Sequence, residues 1–176
     1  MSAAPTVRLA DIARPHLRAL ADATGDMVFL TQRSGMDAVC IDRQEGDFPI
    51  RTYTLEVGTR RPLGIGAGSL AILSTLPEEE MRAVIAANRD RLHAYNGLTV
   101  RKLMRMVRLA QQRGFAIHDG SVSGARAIGV AIRDAQDAPI AGVSVSAVTS
   151  RMQEARWEDL IKLLCAGARA LERLLP

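Results

Sequence analysis

Residues 125–148 read ARAIGVAIRDAQDAPIAGVSVSAV, and their reading decides the fold class. Two apolar runs, near 125–134 and 139–148, flank the polar turn AQDA. β-Branched residues recur along both, as in strands. Strands joined by so short a polar connection form a hairpin, so they pair antiparallel.

Working outward, residues 99–113 (TVRKLMRMVRLAQQR) predict an amphipathic helix. Val100, Leu103, Met104, Val107 and Ala110 share one face, and Arg101, Lys102, Arg105 and Arg108 lie mostly on the other. Thr99 suits its N-cap and Gly114 its end. A short strand, 114–117, precedes the hairpin, and a helix over about 153–174 follows it, with Trp157, Leu160, Leu164 and Leu171 on its buried side. Further upstream, DMVFLTQR (26–33) and DAVCIDRQ (37–44) predict two strands joined by Ser34-Gly35. PIRTYTLEV (49–57) alternates imperfectly and reads as a third strand opened by Pro49. The glycine-rich loop RRPLGIGAGS (60–69) feeds a helix over LAILSTL. Pro77 ends that helix and opens another, whose acidic first turn suits a positive helix N-terminus. The first helix spans 8–24, with a break or kink expected at Pro15 and a C-cap at Gly25. Helix, strands, helices, strands and helix, with hairpins dominating, make an α+β domain with helices covering a mostly antiparallel sheet.

The chain has 176 residues, 48% hydrophobic and 24% charged, which excludes a largely disordered chain and suits one domain. A chain this long buries roughly 70% of its unfolded surface, so it needs neither metal nor disulfide to fold. No run of 18 apolar residues marks a membrane span, and the first residues lack the apolar core of a secretion signal. Two cysteines, Cys40 and Cys165, fit a reduced cytoplasmic protein and are too few for a four-cysteine zinc site. The net charge of +4 permits contact with anions without demanding nucleic acid, and 3% aromatics is too few for a base-stacking platform.

Chemistry concentrates in three places. Gly64, Gly66 and Gly68 alternate just before an apolar helix, where backbone without Cβ atoms and free N–H groups can cradle a small anion. The same loop can equally be a tight turn with nothing bound. It lacks the Gly-Lys-Ser/Thr of a phosphate-binding loop and the spacing of a dinucleotide fingerprint. Ser144 and Ser146 share one face of a strand, either towards a polar ligand or towards solvent. His118 and Asp119 are adjacent and so diverge in an extended segment. No GxSxG motif supplies a nucleophile for them, and a surface loop explains them as well. His16 and His93 have no companions at metal-ligand spacing. Cys40 and Cys165 read as packing residues, and the basic face of the 99–113 helix as a solvated surface.

The whole chain resembles the C-terminal effector-binding domain of IclR-type bacterial transcriptional regulators. ARPHLRALADATG (13–25) resembles that family's first helix, and DMVFLTQRSGMDAVCIDRQEG (26–46) its first hairpin. VGTRRPLGIGAGSLAILSTLP (57–77) is similar to its signature loop and helix. RGFAIHDGSVSGARAIGVAIRDAQDAPIAGVSVSAVTSRM (113–152) is similar to its second half-sheet. The resemblance implies a GAF-like fold with a curved sheet and a pocket for a small organic acid or aromatic metabolite. It implies Ala67 and Gly68 in the loop, Asp119 or His118 after the RGF turn, and Ser144 and Ser146 on the late strand as ligand-binding residues, and the glycine-rich helix start adds Gly66 and Ser69 as candidates beside them. Ala127 stands where some relatives place a cysteine, and Ser69 and Leu70 where many carry Gly-Lys. Tyr53, with Arg51 and Arg61, borders the loop as a candidate rim.

Residues 1–14 are expected to be a residual linker helix or the chain's start, and 15–176 the effector-binding domain. The family's DNA-binding winged helix-turn-helix is expected outside this chain, as in a fragment of a longer regulator or a stand-alone sensor. The implied partners are a small effector, further copies of the chain in a dimer or tetramer, and DNA only through the missing domain; no cofactor, metal or membrane is implied. The alternative is a stand-alone acid-binding protein or an enzyme. Leu9 and Ile12, ahead of Pro15, are expected as leftover apolar surface for self-association.

Overall fold

A computed structural model describes residues 5–120 and 124–176, with side chains from Arg8 onward. The start of the expected 1–14 segment and the middle of the Asp119–Gly124 connection lie outside the described residues. The chain runs α1 (Pro5–Thr24), β1 (Met27–Ser34), β2 (Asp37–Gln44), β3 (Arg60–Pro62), α2 (Ala67–Thr75), α3 (Glu78–Leu92), α4 (Val100–Arg113), β4 (Ala116–Asp119), β5 (Ala125–Arg133), β6 (Pro139–Val148) and α5 (Glu154–Glu172). One antiparallel sheet forms, in the order β3-β2-β1-β6-β5-β4. Its two central strands come from opposite halves of the sequence, with Phe29 facing Ser144 and Met27 facing Ser146.

Alternation along the strands divides the core. Val28 and Leu30 of β1, Val143 and Val145 of β6, and Ile128 and Val130 of β5 point to one face. There they meet Ala13, Leu17 and Leu20 of α1 and Leu160, Leu164 and Ala168 of α5. On the other face, beside Met27 and Phe29, lies a patch of small or polar residues: Thr31, Gly142, Ser144 and Gly129. This is where α2 lies. A Cβ on Gly129 would stand 2.7 Å from the Ala67 carbonyl carbon, and one on Gly142 would collide with the Gly68 backbone. The two strand glycines therefore let the start of α2 rest directly on the sheet. Ala67 to Leu73 are all buried, because the sheet lies on one side of α2 and the second core, with α3 and α4, on the other. Glu78 ties α3 to α4 through Arg108 at 2.6 Å, and Arg108 first, then Arg82, draws its carboxyl down to about 2.

Four local expectations are corrected. The first helix is unbroken across Pro15. The bond that Pro15 cannot donate lies on an exposed turn, and Leu9, Ala13 and Leu17 hold the helix on the sheet from the other side. Leu9 is 4% exposed and belongs to the core, and Ile12 packs against it, so neither is leftover surface. Residues 49–57 form no strand. Pairing with β2 passes instead to residues 58–62, through Gly58 N–H to the Cys40 carbonyl (2.7 Å), Cys40 N–H to the Thr59 carbonyl (3.0 Å), and β3. Residues 45–59 become a strap whose inward side chains, Thr52 and Leu55, are three apart rather than two. The helix after the glycine-rich loop also starts earlier, so Gly68 and Ser69 belong to α2 and not to the loop.

Candidate functional site

The sheet face that α2 leaves uncovered is roofed by the strap, and a pocket remains between them. Gly66, at φ 97°, turns the chain into α2 in a conformation that suits glycine. The first-turn N–H groups of α2 have no acceptor inside the helix and carry its positive end. Ser69 is buried and accepts a hydrogen bond from Gly64 N–H at 2.8 Å, folding the loop back over the helix start. Its hydroxyl thus shapes the cradle.

Two abutting cavities occupy the pocket, of about 20 and 30 Å³. Each has room for about one or two water molecules. Gly66, Ala67, Leu55, Arg61 and Ser144 line both. The first also takes in Thr31, Cys40, Thr59, Gly68 and Ser69, and the second Phe29, His118, Ala127 and Ser146. Ser144 and Ser146 are 4% and 2% exposed, so their shared face is the covered one. Ser146 Oγ lies 2.8 Å from Thr52 Oγ1 on the strap.

His118 and Asp119 diverge. The His118 ring walls the second cavity. Burial, outweighing the nearby Asp119, lowers its pKa to about 4, with Arg61 and Lys102 pushing the same way, so the ring is neutral at pH 7. Asp119 turns away, with a 72% exposed side chain held by Arg126 Nε at 2.6 Å. Tyr53 also stands outside both cavities. It is 50% exposed, and the Arg43 guanidinium lies 5.2 Å from its ring centre. Arg51 holds Glu45 at 3.5 Å on the surface. Of the candidate rim, only Arg61 reaches the pocket, donating to the Thr54 carbonyl at 3.1 Å.

Thr31, Cys40 and Leu55 were missed by the sequence reading. The signal for Thr31 was present, since Met27, Phe29 and Thr31 alternate onto one face of β1. Burial pushes the Cys40 thiol up to about 11, so it is protonated and a poor nucleophile.

The strap has firm ends. Phe48 N–H donates to the Gly25 carbonyl and Gly46 N–H to that of Asp26, both at 3.0 Å. The Arg151 guanidinium sits 3.6 Å from the centre of the Phe48 ring. Arg151 and Arg156 converge on the buried Asp26 carboxylate at 2.9 and 2.6 Å. Arg43 donates to the Leu55 carbonyl at 3.0 Å near the other end.

A family model described as the bacterial transcriptional regulator IclR C-terminal matches residues 1–173. The chain belongs to this family. Among curated relatives it is 29% identical over 166 residues to the HTH-type transcriptional regulator KipR of Bacillus subtilis, covering 92% of this chain and 65% of KipR. It is 27% identical over 168 residues to the HTH-type transcriptional repressor AllR of Escherichia coli, covering 93% of this chain and 61% of AllR. The chain thus spans a little under two thirds of the length of these relatives. The crystal structure of the Thermotoga maritima IclR superimposes with a TM-score of 0.83 at 29% identity, over 95% of this chain and 68% of that one. The regulator YaiJ, at 22% identity and TM-score 0.85 over 96% of both chains, shares the fold. The curled antiparallel sheet with flanking helices is the architecture of IclR C-terminal domains.

Proposed function

We propose that this IclR-family domain is the ligand-sensing part of a transcriptional regulator and that its effector is a small organic acid held under the strap. The observation that carries the reading is the convergence of three groups on one enclosed pocket. These are the N-terminal turn of α2, the buried hydroxyls of Ser144 and Ser146, and the neutral ring of His118. A carboxylate there would accept from backbone N–H groups and hydroxyls, and a neutral imidazole could donate without needing a counter-ion. Arg61 adds positive charge at the wall, and Asp119, turned outwards, adds no repulsion.

The cavities are small beside a four-carbon acid, so entry requires the strap to give way at Thr52. Occupied and empty forms would then differ in strap position. Such a difference biases a two-state equilibrium only by the ligand's differential affinity for the two states. In the cytoplasm, that bias would be read out by a DNA-binding domain outside this chain, within a homo-oligomer. Catalysis is the weaker reading, because Ser146 Oγ is bonded to a threonine and the Cys40 thiol is protonated.

Native mass spectrometry and titration calorimetry with two- to four-carbon carboxylates test the proposal. One such acid should bind one per chain, and Ser144→Ala or Ser146→Ala should weaken it by about tenfold. Failure of every acid to bind, or unchanged affinity in both variants, would overturn the reading. The same spectra report the oligomeric state.

A further inference from the structure

We propose that the groove between α4 and β4 is a second ligand site, separate from the pocket under the strap, and that it takes an aromatic carboxylate. The groove encloses about 270 Å³, near the lower end for small-molecule sites. Its floor is apolar, formed by the buried Ile65 and Leu98 and by the part-buried Ile117. Helix α4 supplies one wall through Lys102, Met106, Leu109 and Arg113. Their spacing of four, three and four places all four on one stripe of the helix. The stripe reads cation, apolar, apolar, cation. It lies beside the buried stripe of Leu103, Val107 and Ala110, and of its four members Met106 alone packs against the second core. Leu109 is left 38% exposed by it.

The charges favour an anion. Lys102 has no ion-pair partner among the described residues. The one carboxylate among the described residues lining the groove, Asp119, is already paired with Arg126 at 2.6 Å. Arg113 closes the far end, with its guanidinium 5.9 Å from the centre of the Trp157 ring. Tyr95, in the connection between α3 and α4, also lines the groove. A flat aromatic body would lie between Tyr95 and the Met106–Leu109 pair, with its carboxylate on Lys102. His118 and Ile65 separate this chamber from the inner cavities, since His118 also lines the second and Ile65 the first. The strap pocket has no room for a ring as it stands, and the groove does. A second copy of this chain is a poorer occupant. A two-fold contact here would set Arg101, Lys102 and Arg105, none with an ion-pair partner among the described residues, against their own copies.

The probe is 2-naphthoate, titrated calorimetrically into the intact chain, with the oligomeric state followed by light scattering. One naphthoate per chain should bind. Lys102→Met and Leu109→Asn should each weaken it about tenfold or more, and Ser146→Ala should leave it within about twofold. Both substitutions fall on exposed positions, so folding is not at stake. Unchanged affinity in both groove variants would overturn the proposal. So would loss of naphthoate in Ser146→Ala alone, which places the ligand under the strap. Groove variants that dissociate an oligomer while keeping naphthoate affinity would instead assign the surface to a second copy. The short-chain acids that test the strap pocket leave these outcomes untouched, so either reading can fail alone.

Discussion

Thr52 Oγ1 and Ser146 Oγ lie 2.8 Å apart, joining the middle of the strap to the floor of the pocket across 94 positions of sequence. Both side chains are buried, and each hydroxyl has the other as its side-chain partner. A ligand that uses Ser146 must take the place of Thr52. The strap is thereby an internal competitor for its own site, with anchored ends and the Thr52–Ser146 bond to β6 at its centre.

Thr52→Val removes that bond at nearly constant shape and leaves the Ser146 hydroxyl unpaired. We expect a loss of about 1–2 kcal/mol in unfolding free energy. Amide exchange should speed up over residues 49–57 and stay slow in β1 and β6. Small-acid affinity should rise, because the competitor has gone. Exchange mass spectrometry and calorimetry read the two effects.

Gly142→Ala and Gly129→Ala place a methyl group against the backbone at the start of α2. Backbone cannot move aside as a flexible side chain can, so each should destabilise by about 1–3 kcal/mol or more. Gly167→Ala in α5 is the control. There the new methyl meets the Leu20 side chain at 3.2 Å, and the gain in helix propensity of roughly 1 kcal/mol offsets the crowding. Urea midpoints of the three variants check the contrast.

Asp26→Ala leaves Arg151 and Arg156 without the carboxylate they share, whose side chain is 1% exposed. Removing one member of such a buried cluster costs about 3 kcal/mol. Arg151→Ala should cost less in stability, because Arg156 still pairs Asp26, yet it should loosen the strap by freeing Phe48. Denaturation and exchange over residues 46–50 separate the two outcomes.

His118 titrates near 4 in the folded chain, against 6.5 for a free imidazole. Between those values the unfolded chain holds a proton that the folded chain refuses, so acid favours unfolding. This contribution to stability is complete above about pH 6.5 and is lost progressively as pH falls towards 4. His118→Gln should flatten the pH dependence of stability in that window, by at most about 1.4 kcal/mol per pH unit. A carboxylate bound beside the ring would raise its pKa, so small-acid binding should take up protons and tighten as pH falls. Calorimetry in buffers of different ionisation enthalpy measures that uptake.

Helix and strand periodicity made most of the fold legible. The hairpin around AQDA, the Thr99 cap, which accepts from Lys102 N–H at 3.2 Å, and the Gly114 end of α4 all stand where local chemistry put them. Local rules misjudged Pro15, because the lost hydrogen bond falls on the solvent side while packing on the other side is intact. They misjudged residues 49–57 for a different reason. An edge strand needs a free neighbour, and β2 had already given its edge to residues 58–62.

The sequence by itself determined the sheet's antiparallel pairing, the two faces of β6 and the glycine loop leading into a helix. Each follows from a repeat of two or 3.6 residues, or from one residue's backbone freedom. Only the tertiary structure decided which sheet face is roofed, that His118 points in while Asp119 points out, and that Thr52 meets Ser146. Those outcomes depend on where α2 and the strap come to rest. That placement is set by small residues on two neighbouring strands, Gly129 on β5 and Gly142 on β6, which no local pattern links to the segments they admit.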